Sequence, residues 1–224
     1  MAKNPILLVE GIDDASVIGN LLNENGFKTL RKSEQVNDKE TDIIIRDKGS
    51  DRKVLNSLKD EIKTADRDKQ PGDAVANRWA SVIDRLRAIG YINLPMNPDP
   101  NGTIVEAEIR DAPTDPNLPR CGIWIMPDNS GTGKLEDFVK QLIPPERNDL
   151  WLRANRVVRE IPASERLFNE LDEIKAHIHT FLAWQSRPGV PMGTAIGAKY
   201  LLADTPEVQR FLNWVRNLFV LLPG

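Results

Sequence analysis

The residues of this sequence whose placement could do chemistry are acidic. In "PILLVEGIDDASVIGNLL" (residues 5–22) four apolar residues run straight into Glu10 and Gly11, and Asp13 and Asp14 follow. Carboxylates at the mouth of a buried strand repel one another unless a cation or a proton intervenes. Further along, "TADRDKQPGD" carries Asp66 and Asp68 ahead of a Pro-Gly turn, and "IMPDN" carries Asp128 after another apolar run. In an α/β sheet, functional groups collect at the carboxyl ends of the strands. If these strand ends are neighbours, four or five carboxylates converge on one edge. An oxygen-only donor set, with neither His nor Cys, suits Mg2+ or Mn2+. Such a cation orients a phosphate and stabilises charge at a phosphodiester. Glu10, where it is not itself a ligand, would act as general acid or base.

Each acid also has a plainer reading. Asp at a helix start or strand end caps helices and makes turns, and that accounts for Asp13 and Asp14 taken alone and for Asp128 taken alone. Glu10 is needed for neither task. The other motifs favour structure over chemistry. "NSGTGK" lacks the first glycine of a phosphate loop, and Leu135 stands where Ser or Thr should follow Lys134. Its glycines suit a turn from strand into helix, whose N-terminus could favour an anion. His177 and His179 stand two apart on a predicted helix, on different faces, so they do not share a metal. "WQSRPGVPMG" (184–193) reads as a rigid connection between helices or a partner-binding edge. The five tryptophans fall on predicted helices or apolar strands, where a core role outranks base stacking.

The elements that must position the acids follow from periodicity. "ILLV" (6–9) suits a strand covered on both faces. From Asp13 the pattern turns helical, with Ala15, Ile18, Leu21 and Leu22 on one face, Asp13 or Asp14 as N-cap and Gly26 as the stop. "FKTL" (27–30) and "DIIIR" (42–46) read as two more strands. This strand–helix–strand opening is the mark of an α/β unit. "RKVLNSLKDEI" reads as a helix, and a second one follows in "DAVANRWASVIDRLRAIGY". "TIVEAEI" (103–109) alternates inside a Pro- and Asn-rich excursion. "CGIWIM" (121–126) is a strand, followed by a helix bearing Leu135, Phe138, Val139 and Leu142. From about residue 146 the pattern is helical almost throughout, and the last helix starts near Thr205.

Composition narrows the function classes. The chain has 224 residues, 40% hydrophobic and 28% charged, as expected of a folded globular protein. A net charge of −3 argues against a broadly basic, nonspecific nucleic-acid coat, although 30 Lys and Arg leave room for a local basic groove. Cys121 is the single cysteine, so no intramolecular disulfide forms, which fits a reducing compartment. Glu10 interrupts the first apolar run too early for a signal peptide, and no segment reaches the roughly 20 apolar residues of a membrane helix. A cytoplasmic protein with no membrane contact is expected.

Two stretches carry a resemblance. "LLVEGIDDASVIGNLL" resembles the first motif of the Toprim domain: apolar strand, Glu, Gly, polar link and amphipathic helix. That domain is shared by topoisomerases, bacterial primases, recombination proteins and the overcoming-lysogenization-defect nucleases. "ADRDKQPGD" resembles its second motif, Asp-x-Asp with a glycine a few residues on, here Asp66, Asp68 and Gly72. The resemblance implies that Glu10 is a catalytic acid/base or metal ligand and that Asp66 and Asp68 hold magnesium. It also implies that Asp14 matches an extra acidic position of the nuclease branch. The segment before Asp66, "EIKT", has Ile62 as its only bulky apolar residue where the pattern has an apolar strand, so it reads as an edge strand or a drifted motif. "NRWASVIDRLRAIGY", "GIWIMPDNSGTGKLEDFV", "KAHIHTFLAWQSRPGVPMGTAIGAKYL" and "FLNWVRNLF" are similar to an uncharacterised, Toprim-related bacterial family, a domain of unknown function.

The expectation is an α/β fold: a small Toprim-like sheet flanked by helices over 1–145, with an α-helical segment over 146–224 packed on it. The expected activity is divalent-metal-dependent and directed at nucleic-acid phosphodiesters, DNA or RNA. Glu10 is the expected catalytic residue, with Asp66, Asp68, Asp14 and Asp128 as ligands to Mg2+ or Mn2+. Two alternatives stand beside it: a non-catalytic Toprim-like partner of an ATPase or defence complex, and a small-molecule phosphoesterase.

Overall fold

A computed structural model of the chain describes residues 5–31, 41–48, 74–106 and 120–219. Strand β1 (Ile6–Val9) leads through Glu10 and Gly11 into helix α1 (Ile12–Glu24), and β2 (Thr29–Arg31) and β3 (Ile43–Asp47) complete a parallel sheet of order β1-β3-β2. The register sets Val9 opposite Asp47 and Thr29 opposite Ile43. The central strand, β3, is buried from Ile43 to Arg46, as a run of apolar residues covered on both faces requires. Both later strands begin and end a residue or two beyond the predicted spans, within the usual uncertainty of element ends.

Helix α1 is clamped from two sides. Gly19 faces the sheet, where an added Cβ would stand 3.4 Å from Ile45 Cδ1, and Ser16 faces a later helix. The cap differs from expectation. Gly11, extended at φ −139°, occupies the N-cap position, and Asp14 sits three residues into the helix. At the other end Gly26, at φ +86°, takes the left-handed conformation that lets Phe27 N–H return to Leu22 O at 3.0 Å.

Helix α2 (Ala74–Ile89) has Trp79, Ile83 and Leu86 on its buried face. They pack with Tyr91, Val105, Ile123 and Ile125 into a small core of their own. The antiparallel pair β4 (Thr103–Val105) and β5 (Cys121–Ile123) is therefore two-faced. Alternation turns Val105 and Ile123 toward α2, while Ile104 and Trp124 turn the other way, onto the main core. That second face lies against the last helix so closely that Gly102 and Gly122 are the residues that fit. A Cβ on Gly122 would meet Leu218 Cδ2 at 2.3 Å, and Trp214 Nε1 donates to Thr103 O at 3.1 Å.

The remaining helices are α3 (Leu135–Lys140), α4 (Asn148–Arg159), α5 (Glu173–Ala183), α6 (Met192–Gly197) and α7 (Pro206–Phe219), with 3-10 turns at Pro145–Arg147 and Glu170–Asp172. The helical pattern expected from about residue 146 breaks after Arg159, where Pro162 supplies no N–H to prolong α4. One apolar cluster runs from Leu7, Ile18 and Ile43 through Phe138, Trp151 and Phe181 to Phe211 and Leu218, so sheet, α1 and C-terminal helices share a core. Trp79, Trp151 and Trp214 are buried as expected, whereas Trp184, at the end of α5, is 40% exposed. His177 is buried edge-on to Trp151 and His179 is exposed, on separate faces. Among the described residues no helix is long and apolar enough to cross a membrane.

Candidate acidic site at the strand ends

The end of β1 does place an acid at the sheet's carboxyl edge. Glu10 is exposed there, one residue after Val9, and Asp47 closes β3 directly opposite Val9. Asp14 lies one turn into α1 and is half-buried, with Oδ2 accepting the Gly11 N–H at 3.1 Å. Burial pushes its carboxyl up to about 6. The Glu10 charge adds to the push, the Gly11 and Asp14 backbone N–H groups oppose it, and Glu136 contributes further. Glu136 belongs to the first turn of α3, is 7% exposed, and has Lys175 as its cation at 3.9 Å. Three acids from two distant parts of the chain thus share one electrostatic neighbourhood.

Asp13 is exposed. Asp128 lies in the loop between β5 and α3. Its Oδ1 accepts from Ser130 N–H at 3.0 Å, Ser130 Oγ at 3.0 Å and Gly131 N–H at 2.8 Å, closing the turn that leads toward α3. Partial burial acts to raise this carboxyl, but those hydrogen bonds, with Arg210, prevail and hold it below the ordinary range. Asp66 and Asp68 lie outside the described residues.

Two acids escaped the sequence reading. Asp47 was one residue past the predicted strand, and the same strand-end rule that picked Glu10 would have found it. Glu136 sits in "KLEDF", where the apolar positions dominate, and only the tertiary fold brings it to Asp14.

The donor chemistry fits a hard divalent cation. The side chains are all oxygen donors, and like charges already raise the cost of ionising Asp14, a repulsion that a dication would relieve. Among the described residues, however, no group of three or more His, Cys, Asp or Glu is placed to hold a metal. A full coordination shell would need further donors, and Asp66 and Asp68 are the expected ones.

The geometry defines an α/β protein with a parallel sheet whose carboxyl edge is acidic. The chain belongs to the family described as "Protein of unknown function (DUF3226)", whose model matches residues 4–220. Comparison with curated proteins and with solved structures gives no significant match.

Proposed function

We propose that the chain is a Toprim-like, divalent-metal-dependent enzyme that acts on nucleic-acid phosphodiester bonds. The observation that carries this reading is Glu10 at the carboxyl end of β1, immediately before α1, with Asp14 one turn on and raised to about 6 by burial and by Glu10. Asp66 and Asp68, with Asp14, would hold Mg2+ or Mn2+. When bound there, the cation would polarise a phosphodiester oxygen. Glu10, exposed at the strand end, would exchange a proton with the attacking or leaving oxygen. Glu136 and its Lys175 partner would hold the field around Asp14.

Calorimetric titration with Mg2+ and Mn2+ tests the reading on the wild type, Glu10→Gln and Asp66→Asn. Binding by the wild type that weakens at least tenfold in both variants is the expected result. Cleavage assays on single-stranded, duplex and supercoiled DNA and on RNA then identify the substrate. A folded wild type that takes up neither cation would sink the enzyme reading. It would leave the non-catalytic partner of an ATPase, which draws support from apolar side chains in the open, Leu167 (99% exposed) and Leu171 (71%).

A further inference from the structure

A cleft of about 690 Å³ lies between α2 and the segment 94–100, floored by the loop that follows Asp128. That volume falls within the range of small-molecule sites, roughly 300–1,000 Å³, which are mostly apolar with a few placed polar groups. The walls carry apolar side chains, Ile83 on α2 and Leu94 and Met96 on the segment, alongside Asp84, Arg87 and Asn97. Met96 is 91% exposed. The segment bearing it is held in place, because Trp79 Nε1 donates to Met96 O at 2.9 Å.

The floor is polar: Asn129, Ser130 and Thr132. Asn129 is 2% exposed and adopts φ +64°. Its Oδ1 accepts the Ile125 N–H at 2.6 Å, which fixes the orientation of the amide. Among the described residues its Nδ2 is left buried with no hydrogen-bond partner. A buried donor without an acceptor costs about 1–3 kcal/mol, so a ligand that brings an acceptor gains what the free protein lacks. Ser130 and Thr132 are exposed beside it; the Ser130 hydroxyl, which donates to Asp128 Oδ1, has acceptor capacity left, and the Thr132 hydroxyl can donate or accept.

The floor loop also leads, through Gly133 and Lys134, into the first turn of α3, where Glu136 couples to Asp14. The cleft and the acidic edge are therefore joined by a few residues of backbone. We propose that this cleft binds a nucleobase, whose flat apolar faces lie against the Ile83, Leu94 and Met96 side chains while a ring nitrogen or carbonyl accepts from Asn129 Nδ2. This assignment deepens the phosphodiester reading above and rests on it for the choice of a base over other flat heterocycles. Nδ2 is buried in the free protein, so binding requires the floor of the cleft to open.

Saturation-transfer NMR on the full chain, with adenosine, guanosine, cytidine, uridine and thymidine as probes, tests the proposal. At least one nucleoside is expected to receive magnetisation. Asn129→Asp keeps the acceptor for Ile125 and replaces the donor with an acceptor, and it should weaken binding at least tenfold. Ala80→Trp, at an exposed α2 position on the cleft wall, should abolish binding while leaving the fold intact. No transfer to any nucleoside overturns the proposal, as does binding that neither variant changes. Short oligonucleotides separate the two sources of a base. Binding at least tenfold tighter than the free nucleoside assigns the cleft to a strand, and equal binding assigns it to free nucleosides. The metal titration reads the acidic edge alone, so a protein that binds nucleosides but no cation keeps this site and loses the enzyme reading.

Discussion

Asp14→Asn probes the acidic edge while keeping the shape of the side chain. Burial and the Glu10 charge hold the folded carboxyl at about 6, against an ordinary 3.8. Between those pH values the folded chain keeps a proton that the unfolded chain has released. Stability therefore falls as pH rises from about 4 to about 6, and the loss is complete above that. At about 1.4 kcal/mol for each tenfold change in proton affinity, the full displacement corresponds to about 3 kcal/mol. Solvent screening at a half-buried position reduces this to about 1–2 kcal/mol. The Asn amide does not ionise, and its Oδ1 still accepts the Gly11 N–H. Urea unfolding at about pH 4 and about pH 7.5 should show equal stabilities at the lower pH and a variant more stable by that amount at the higher. Added Mg2+ at the higher pH should narrow the gap by stabilising the wild type alone. A variant no more stable than the wild type at the higher pH would refute the account of Asp14.

Gly122→Ala drives a methyl group to 2.3 Å from Leu218 Cδ2 and 2.8 Å from Trp214 Cζ2, so the hairpin and α7 must separate. The expected loss is about 1–3 kcal/mol, read as a lower urea midpoint with unchanged slope. His177 runs opposite to Asp14 in its pH dependence. Burial lowers its proton affinity, Glu173 works against that, and Arg159 and Lys140 reinforce it. The unfolded imidazole protonates first, so stability falls as pH drops below about 6.5. His177→Gln should flatten that acid limb in denaturation curves between about pH 5 and 7, and an unchanged slope would show that the imidazole does not couple to folding.

The elements with strong local periodicity were legible in the sequence. The run "ILLV", the apolar face of α1 and the stripe of Val208, Phe211, Leu212 and Val215 on α7 are each fixed by residues within a few positions of one another. Glu10 was legible for the same reason, because a carboxylate directly after an apolar strand must lie at its end. The strand itself differs from expectation: β1 is an edge strand of the described sheet with Leu7 alone buried, and is not covered on both faces. What escaped depends on partners remote in the chain. The order β1-β3-β2 is decided by packing between strands, which no window of sequence reports. The role of Gly122 is set by Leu218 almost a hundred residues later, and the coupling of Glu136 to Asp14 needs α3 seated near α1. The buried amide of Asn129 gave no signal either, since "PDNSGTG" reads only as a turn. The cap of α1 was misplaced by a smaller effect: Gly11 occupies the cap, and Asp14 stabilises it from within the first turn.

The acidic edge should depend on how the C-terminal helices seat against α1. Gly193 of α6 approaches so closely that an added Cβ would stand 2.2 Å from Ser16 Oγ and 2.6 Å from the Ser16 carbonyl carbon and oxygen. Backbone atoms cannot rotate aside, so in Gly193→Ala either α1 shifts or α6 lifts away. Ser16 is two residues beyond Asp14, while Glu136 is anchored through Leu135, Phe138 and Val139 in the shared core. A shift of α1 therefore moves Asp14 relative to Glu136 and lets solvent in. The Asp14 carboxyl should then titrate lower, from about 6 back toward 3.8, as burial weakens. Carboxyl-carbon NMR measures this directly, and Gly122→Ala is the control, since it overpacks the hairpin against α7 and leaves the Ser16 contact alone. Displacement of the titration by Gly193→Ala alone ties the electrostatics of the acidic edge to the α1–α6 contact. Displacement by both variants, or by neither, would show that this contact does not set the environment of Asp14.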